Sequence, residues 1–276
     1  MDRTAAETRV GRAAAPLKLP GLTVSRIRLL TVLVCLALWE GLARAGWFYK
    51  GVIPTSVSVV MAFAREIAGR EFYRHCGITL AEVSVGFIAG GLVGVALGIL
   101  FGARRFLWRA AAPYINAIGS TPKIVFLPIL FLLFGVGIES KMAKGALSTF
   151  FPVVVSTTAG MLAISPVWLR VGRSFHLTRW QTVIKIYLPA MVRPVVTGMR
   201  LGLGVGIIGV LVAEIKYSNG GLGYLAIQYY TQFDIPRMYA MLLIIFTLAV
   251  LANLAMTRLT DRFYWDGSNA RSESAR

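Results

Sequence analysis

Two cysteines and two histidines are all that 276 residues offer for redox or soft-metal chemistry. Cys35 and Cys76 form no metal or redox spacing and read as small apolar side chains. Acidic residues are also scarce, 12 Asp and Glu against 29 Lys and Arg, for a formal net charge of +17. No G-x-x-x-x-G-K-[ST] run occurs, so the chain lacks the usual phosphate-cradling loop for ATP. Charge as a whole is thin, at 15% of residues, where soluble domains run near 25%. The surplus is apolar: 57% of residues are hydrophobic and the mean hydropathy is +0.69. That composition excludes a disordered chain and argues against an ordinary soluble enzyme. A basic balance fits nucleic acid or membrane, and the apolar content decides for membrane.

A spanning helix needs about 20 mostly apolar residues. Six stretches qualify: Ile27–Gly46, Ile78–Gly102, Pro113–Gly137, Lys141–Ile164, Pro194–Glu214 and Met238–Leu259. The third carries Pro122, Lys123 and Pro128. The first holds Trp39 and Glu40 late and has no small-residue cleavage site, so it does not read as a signal peptide. With the N-terminus inside, nineteen basic residues fall on the cytoplasmic side. They are Arg3, Arg9, Arg12, Lys18, Arg26, Arg28, Arg104, Arg105, Arg109, Arg170, Arg173, Arg179, Lys185, Arg193, Arg200, Arg258, Arg262, Arg271 and Arg276. The outer loops hold seven. This bias predicts both termini in the cytoplasm and accounts for the charge without nucleic acid. The expected organisation is a cytoplasmic tail at 1–26, an all-α six-helix domain at 27–264, and a second cytoplasmic tail at 265–276. An apolar stripe from Val57 to Ile67, opened by Pro54-Thr55-Ser56, predicts a helix along the outer interface. His75 is expected in the outer loop and His176 inside, so the two cannot meet in a hydrolase site.

Glycine recurs every fourth residue at Gly86, Gly90, Gly94, Gly98 and Gly102, and again at Gly198, Gly202 and Gly206. A strip without side chains lets another helix approach closely, either within one subunit or across a dimer contact. Between the fourth and fifth stretches, residues 165–193 are amphipathic, basic and too polar to span. Pro166 opens one short helix there. Thr178 and Gln181 have the form of a capping box and open a second helix, expected to stop at Pro189. The segment reads as a helix pair on the cytoplasmic surface, anchored by snorkelling arginines or docked on a partner.

This segment resembles the cytoplasmic signature loop of permease subunits of binding-protein-dependent ABC importers. The family pattern is Glu-Ala-Ala, then Gly four residues after the second Ala, then Ile-x-Leu-Pro. Ile186, Leu188 and Pro189 match its end, and Arg179, Trp180 and Gln181 match a common middle. Arg170 stands where Glu is expected, Val171 and Gly172 replace the two Ala, and His176 replaces the Gly. A Gly there ends a helix in the left-handed region at no cost, and His tolerates that region less comfortably. Thr121-Pro122-Lys123 through Leu127-Pro128 to Phe134-Gly135-Val136-Gly137 resembles the nitrate, sulfonate and taurine branch. So do Pro54-Thr55-Ser56, Phe151-Pro152, and Val212-Ala213-Glu214 followed by Gly221-Leu222-Gly223.

The resemblance implies a type I ABC importer permease fold and a transport subunit with no catalysis of its own. ATP and Mg would sit on a separate ATPase, and a periplasmic or lipid-anchored binding protein would deliver the solute. A second permease copy or a paralogue would complete the path, in a bacterial inner membrane. Residues 165–193 become the ATPase-coupling loop, carried by Arg170, Arg173, Phe175, His176, Thr178, Arg179, Trp180, Gln181, Leu188 and Pro189. The arginines would face ATPase acids or lipid headgroups. Candidates for the path are Asn116, Ser120, Thr121, Lys123, Ser148, Thr149 and Ser156. Lys123 either meets an anionic solute or snorkels to the inner surface. Glu214 is a candidate for the outer gate; it is expected, with Glu40, Glu82 and Glu139, near a span end within reach of water. The implied cargo is a sulfonate, taurine or nitrate. Other cargoes in the branch are pyrimidine and vitamin precursors. A secondary transporter, the alternative reading, would need paired ionisable residues near the midplane and often an internal repeat, and the sequence shows neither.

Overall fold

The computed structural model describes residues 24–47 and 51–261. The expected tails at 1–26 and 265–276, with Arg3, Arg9, Arg12, Lys18, Arg262, Arg271 and Arg276, fall outside these residues except for positions 24–26. Helices and turns account for all regular structure among the described residues, and no strand occurs. The chain divides at Ser56 and Val57 into two compact units.

The first unit holds α1, Val24–Ala45. Its leucines and valines are exposed along its length, Leu29 and Leu38 at 61% and 62%. Near its end the Glu40 carboxylate pairs with Arg44 at 2.7 Å and accepts the Ser56 N–H at 3.0 Å. The Trp39 indole donates to the Pro54 carbonyl at 3.0 Å.

The second unit contains α2 (through Ala68 from Ser56), α3 (Arg70–Ala103), α4 (Arg105–Ser120), a 3₁₀ turn at Lys123–Phe126, α5 (Leu127–Phe134) and α6 (Ile138–Leu162). Then come α7 (Pro166–Ser174), α8 (Arg179–Thr182), a π-helical segment at Val183–Tyr187, α9 (Leu188–Lys216), α10 (Leu222–Thr231) and α11 (Ile235–Asp261). Among the described residues four helices are long and apolar enough to cross a membrane: α3, α6, the run from α8 through α9, and α11. A fifth crossing exists if α4 and α5 count as one span, although they meet at 94°.

The expected six spans are therefore not all recovered. In α1 the charged residues Arg26 and Arg28 at one end and Glu40 and Arg44 at the other shorten the uncharged stretch. The expected third span, Pro113–Gly137, is broken because Pro122 has no N–H to give and forces Thr121 into extended backbone (φ −66°, ψ 137°). The second span starts earlier than Ile78, at Arg70, and takes His75 out of the expected loop and into α3. The second loop helix does not stop at Pro189. That proline lies in the first turn of α9, directly after the widened π turn that carries the chain through.

The core is a stack of α3, α6 and α9 with α6 in the middle. Of the long helices α6 is the most deeply buried and α11 the least. Glycine makes this possible. A Cβ on Gly86 would lie 2.8 Å from the Met142 carbonyl, and one on Gly94 would lie 2.9 Å from Val153 Cβ. Gly90 backs onto the Ala146 carbonyl and Gly98 onto Thr157. On the other side of α6, Gly198 meets Ser156 and Val153, while Gly202 and Gly206 meet Thr149. Both ladders pack on α6 of the same chain. Threonines stitch the seams: Thr149 donates to the Gly202 carbonyl at 3.1 Å and Thr158 to Gly98 at 3.3 Å.

Above this stack, α10 is wedged in by a cluster of Phe72, Leu222, Leu225, Ala226, Met241 and Ile244. Tyr229 donates to Glu66 at 2.9 Å, and Arg237 lies 3.5 Å from the same carboxylate and over the Tyr229 ring. Burial, reinforced by the Glu66 hydrogen bond, pushes the Tyr229 phenol up from its ordinary value.

Candidate functional site

Two constellations stand out, one at each end of the core. The first is the loop between α6 and α9. Ser165 caps α7 by accepting the Val167 N–H at 3.3 Å, and Pro166 fills the first turn. The helix ends in a Schellman motif: Leu177 N–H reaches the Gly172 carbonyl at 3.0 Å, and His176 N–H reaches Arg173 at 2.9 Å. This closure needs a left-handed residue, and His176 supplies it at φ 54°. Gly172 has a separate reason. A side chain there would meet Ile186 Cδ1 at 2.8 Å and Leu177 Cδ1 at 3.3 Å, so the missing Cβ lets the π segment fold against α7.

Thr178 then starts α8 with a reciprocal capping box, Gln181 N–H to Thr178 Oγ1 at 3.2 Å and Thr178 N–H to Gln181 Oε1 at 2.9 Å. The π turn is marked by Leu188 N–H reaching back to the Val183 carbonyl. Around this frame the large side chains point outward. Phe175 is 76% exposed, Trp180 72% and Trp168 63%. Arg170, Arg173, Arg179 and Leu188 are exposed as well. Trp168 was not singled out by sequence, although it lies in the same short helix as Arg170 and Arg173. A cleft of about 520 Å³ runs under the loop, walled by Gly160, Trp168, Ile186, Pro189 and Pro194.

The second constellation is polar and fully buried. Glu214 lies at the end of α9 with no exposed surface. Thr79 donates to its Oε1 at 2.6 Å and Gly223 N–H to its Oε2 at 2.7 Å. Leu222 N–H donates to Thr79 Oγ1 at 2.8 Å, and Gly221 N–H to His75 Nδ1 at 3.0 Å. His75 stacks on Tyr224 with centroids 5.7 Å apart. Together these bonds satisfy the orphan N–H groups at the start of α10 and tie it to α3 and α9. Beside this tie lies Glu82, also without exposed surface. Glu82 and Glu214 thus correct the expectation that water reaches both. His75 has a buried acceptor role that its sequence neighbourhood concealed.

The path candidates scatter. Asn116 and Ser120 are exposed on α4, and Thr121 is half-buried with its hydroxyl on the Ala117 carbonyl at 2.8 Å. Lys123 folds back: its amine donates to the Gly119 and Thr121 carbonyls at the end of α4 and lies 5.2 Å from the Phe151 ring. Ser148 and Thr149 correct a further expectation. They are buried in the α6–α9 seam, where the glycines of α9 close on them, and line no open passage here. Ser156 is half-buried against Gly198. Two lysines that sequence reasoning passed over lie in α6. Lys141 donates to the Val136 and Gly137 carbonyls at 2.7 and 3.0 Å, and Lys144 approaches Ser148 at 3.4 Å.

Comparison with known proteins places this arrangement. Residues 90–264 match the family model described as binding-protein-dependent transport system inner membrane component. The formylaminopyrimidine transport permease protein ThiX of Halalkalibacterium halodurans is 30% identical over 230 residues, 83% of this chain and 91% of that protein. The taurine transport system permease protein TauC of Escherichia coli is 28% identical over 201 residues, 71% of this chain and 73% of that protein. Among solved structures, an inward-facing MetNI methionine ABC transporter chain superposes with a TM-score of 0.61 at 21% identity. It covers 69% of this chain and 94% of its own length, a likeness of fold.

Proposed function

The chain belongs to the binding-protein-dependent transport system inner membrane component family, and we propose that it forms half of the solute path of an ATP-driven importer in a bacterial cytoplasmic membrane. It is a multi-pass ABC importer permease subunit, a transporter component and not an enzyme. In the proposed arrangement both termini and the 165–193 loop face the cytoplasm. ATP and Mg are held by a separate ATPase, and an external binding protein hands over the solute. A second copy or a paralogue completes the path.

The observation that carries the reading is the loop. Phe175 and Trp180 project from two short helices locked by a Schellman closure and a capping box. Exposed aromatics on a rigid frame are what a protein groove grips, since little backbone freedom remains to be lost. Arg170, Arg173 and Arg179 around them suit an acidic rim on the ATPase. Arg170, where the family carries Glu, then calls for a partner with the matching charge. ATP-driven approach of the two ATPases would pull on these loops and rock the spans.

The cargo proposed is a small anionic or polar solute of the sulfonate, taurine or nitrate kind. The ThiX likeness supports a second cargo, a pyrimidine precursor. The test is purification of the tagged chain from native membranes in mild detergent, followed by reconstitution with its ATPase and binding protein. An ATPase bearing a phosphate-binding loop should come along. Trp180→Ala should weaken its capture by more than tenfold, as loss of a central aromatic contact does, and uncouple hydrolysis from uptake while insertion persists. Repeated recovery of the chain without any ATPase would favour a secondary transporter and defeat the proposal.

A further inference from the structure

We propose that the groove between α9 and α11 is a binding site for one anionic phospholipid of the cytoplasmic leaflet, its phosphate on Arg200 and an acyl chain along the groove. The orientation rests on the reading above, in which the 165–193 loop is cytoplasmic. The glycine face of α9 is closed on α6. Its opposite face diverges from α11 and leaves a groove of about 1090 Å³. Leu201, Val205 and Ile208 wall it from α9, and Leu242, Phe246 and Val250 from α11. Gly204 lies between, and nothing lies within 4 Å of where its Cβ would be, so the floor of the groove is open at mid-depth.

Polarity is graded along the groove. From Leu201 outward its lining is apolar, whereas its inner end carries Thr197, Arg200 and Asn253. Arg200 Nε donates to Asn253 Oδ1 at 3.3 Å, which fixes the guanidinium across the two helices and leaves its other donors for a ligand. No carboxylate pairs with Arg200 among the described residues. A cation toward the inner end of an apolar groove matches an amphiphile with a negative head. Basic pockets between spanning helices on the cytoplasmic side bind such headgroups. The dimensions agree. Leu201 to Leu211 covers about 15 Å of helix, the same as the roughly 15 Å of one leaflet's hydrocarbon. A helix from another chain would leave the arginine unmatched unless it brought an acid to that level.

The experiment is native mass spectrometry of the full chain taken from membranes in mild detergent, with added phosphatidylglycerol or phosphatidylcholine. One phosphatidylglycerol should stay bound, and phosphatidylcholine should not replace it. Arg200→Gln should lower the occupancy about fivefold, the weight of one arginine beside an anionic lipid. Gly204→Leu, which fills the floor, should lower it comparably, and Arg105→Gln should leave it unchanged. Equal occupancy in all four proteins overturns the proposal, as does a loss with Gly204→Leu that Arg200→Gln does not share. Disulfide linkage of two copies through Leu201→Cys, in a Cys35→Ser, Cys76→Ser background, also overturns it, because a second chain then fills the groove. Recovery of the ATPase is scored separately. Its absence with the lipid retained defeats the importer reading and leaves the site standing.

Discussion

Gly90→Ala should destabilise the chain, while Gly91→Ala next to it should not. The difference lies in what each methyl would meet. At Gly90 the new carbon would sit 2.9 Å from both Cα and the carbonyl carbon of Ala146, and nearer still to its oxygen. All three are backbone atoms of α6, so no rotamer change clears them and the two helices must separate. At Gly91 the neighbours are Sδ and Cε of Met199, at 2.9 and 2.8 Å, the far end of a flexible side chain that can swing aside. Overpacking of this kind costs about 1–3 kcal/mol, and a rigid backbone neighbour puts Gly90 at the upper end. Replacing Gly by Ala in a helix returns about 1 kcal/mol. The net loss at Gly90 is then about 2 kcal/mol, and Gly91 comes out near neutral. Gly204→Ala, with open space around it, should gain up to about 1 kcal/mol. Detergent-solubilised chain followed by circular dichroism during heating would read a drop of about 4–8 °C for Gly90→Ala. Equal stability of all three variants would refute the seam. So would a Gly90→Ala chain of normal stability that had lost self-association, because the ladder would then be a contact between subunits.

His176→Gly should raise thermal stability by about 1 kcal/mol by removing a left-handed side chain, and His176→Val should lower it; equal shifts would contradict the Schellman closure. Glu214→Ala should cost about 1–3 kcal/mol or more, since it strands the Thr79 hydroxyl and the Gly223 N–H in a buried place. Hydrogen exchange should show α10 losing protection first, and uniform loss across α3, α9 and α10 would argue against a local tie.

Much of this was legible because it is local. The capping box needs only Thr178 and Gln181 three residues apart, and the φ of His176 follows from a motif in which glycine is the usual occupant. The glycine ladders announced a close helix contact, but their partner was invisible: nothing in four-residue spacing says that α6 takes one ladder on each side. The burial of Glu82 and Glu214 was misread for a related reason. Position near a span end suggests access to water, yet α10 folds back over that end and supplies the N–H groups that make the burial tolerable. Proline was read too simply. Pro122 breaks a helix as expected, whereas Pro189 does not, because the π turn before it removes the clash that would have ended α8.

That π turn bears on how the proposed coupling loop could move the spans. From Arg179 to Lys216 the chain is one 38-residue helical run, about 57 Å long. Trp180 lies at one end and Glu214, tied to α3 and α10, at the other. A pull on the loop is therefore carried along this run to the outer tie, and its hydrogen bonding departs from the α pattern at Pro194, which has no N–H to donate, and at the π segment, Val183–Tyr187. The extra residue there also sets the angle at which Trp180 leaves the rod. Deleting Lys185, which is exposed, should convert the turn to α-helix and rotate the loop by about 100°, while the α6–α9 seam beyond Leu188 stays in register. The expected result is a chain that inserts and melts normally but captures its ATPase poorly, with phenotype close to Trp180→Ala. Normal ATPase capture by the deletion variant would mean that the π turn merely accommodates Pro189 and that the loop's orientation is set elsewhere, by its packing through Gly172 and Ile186.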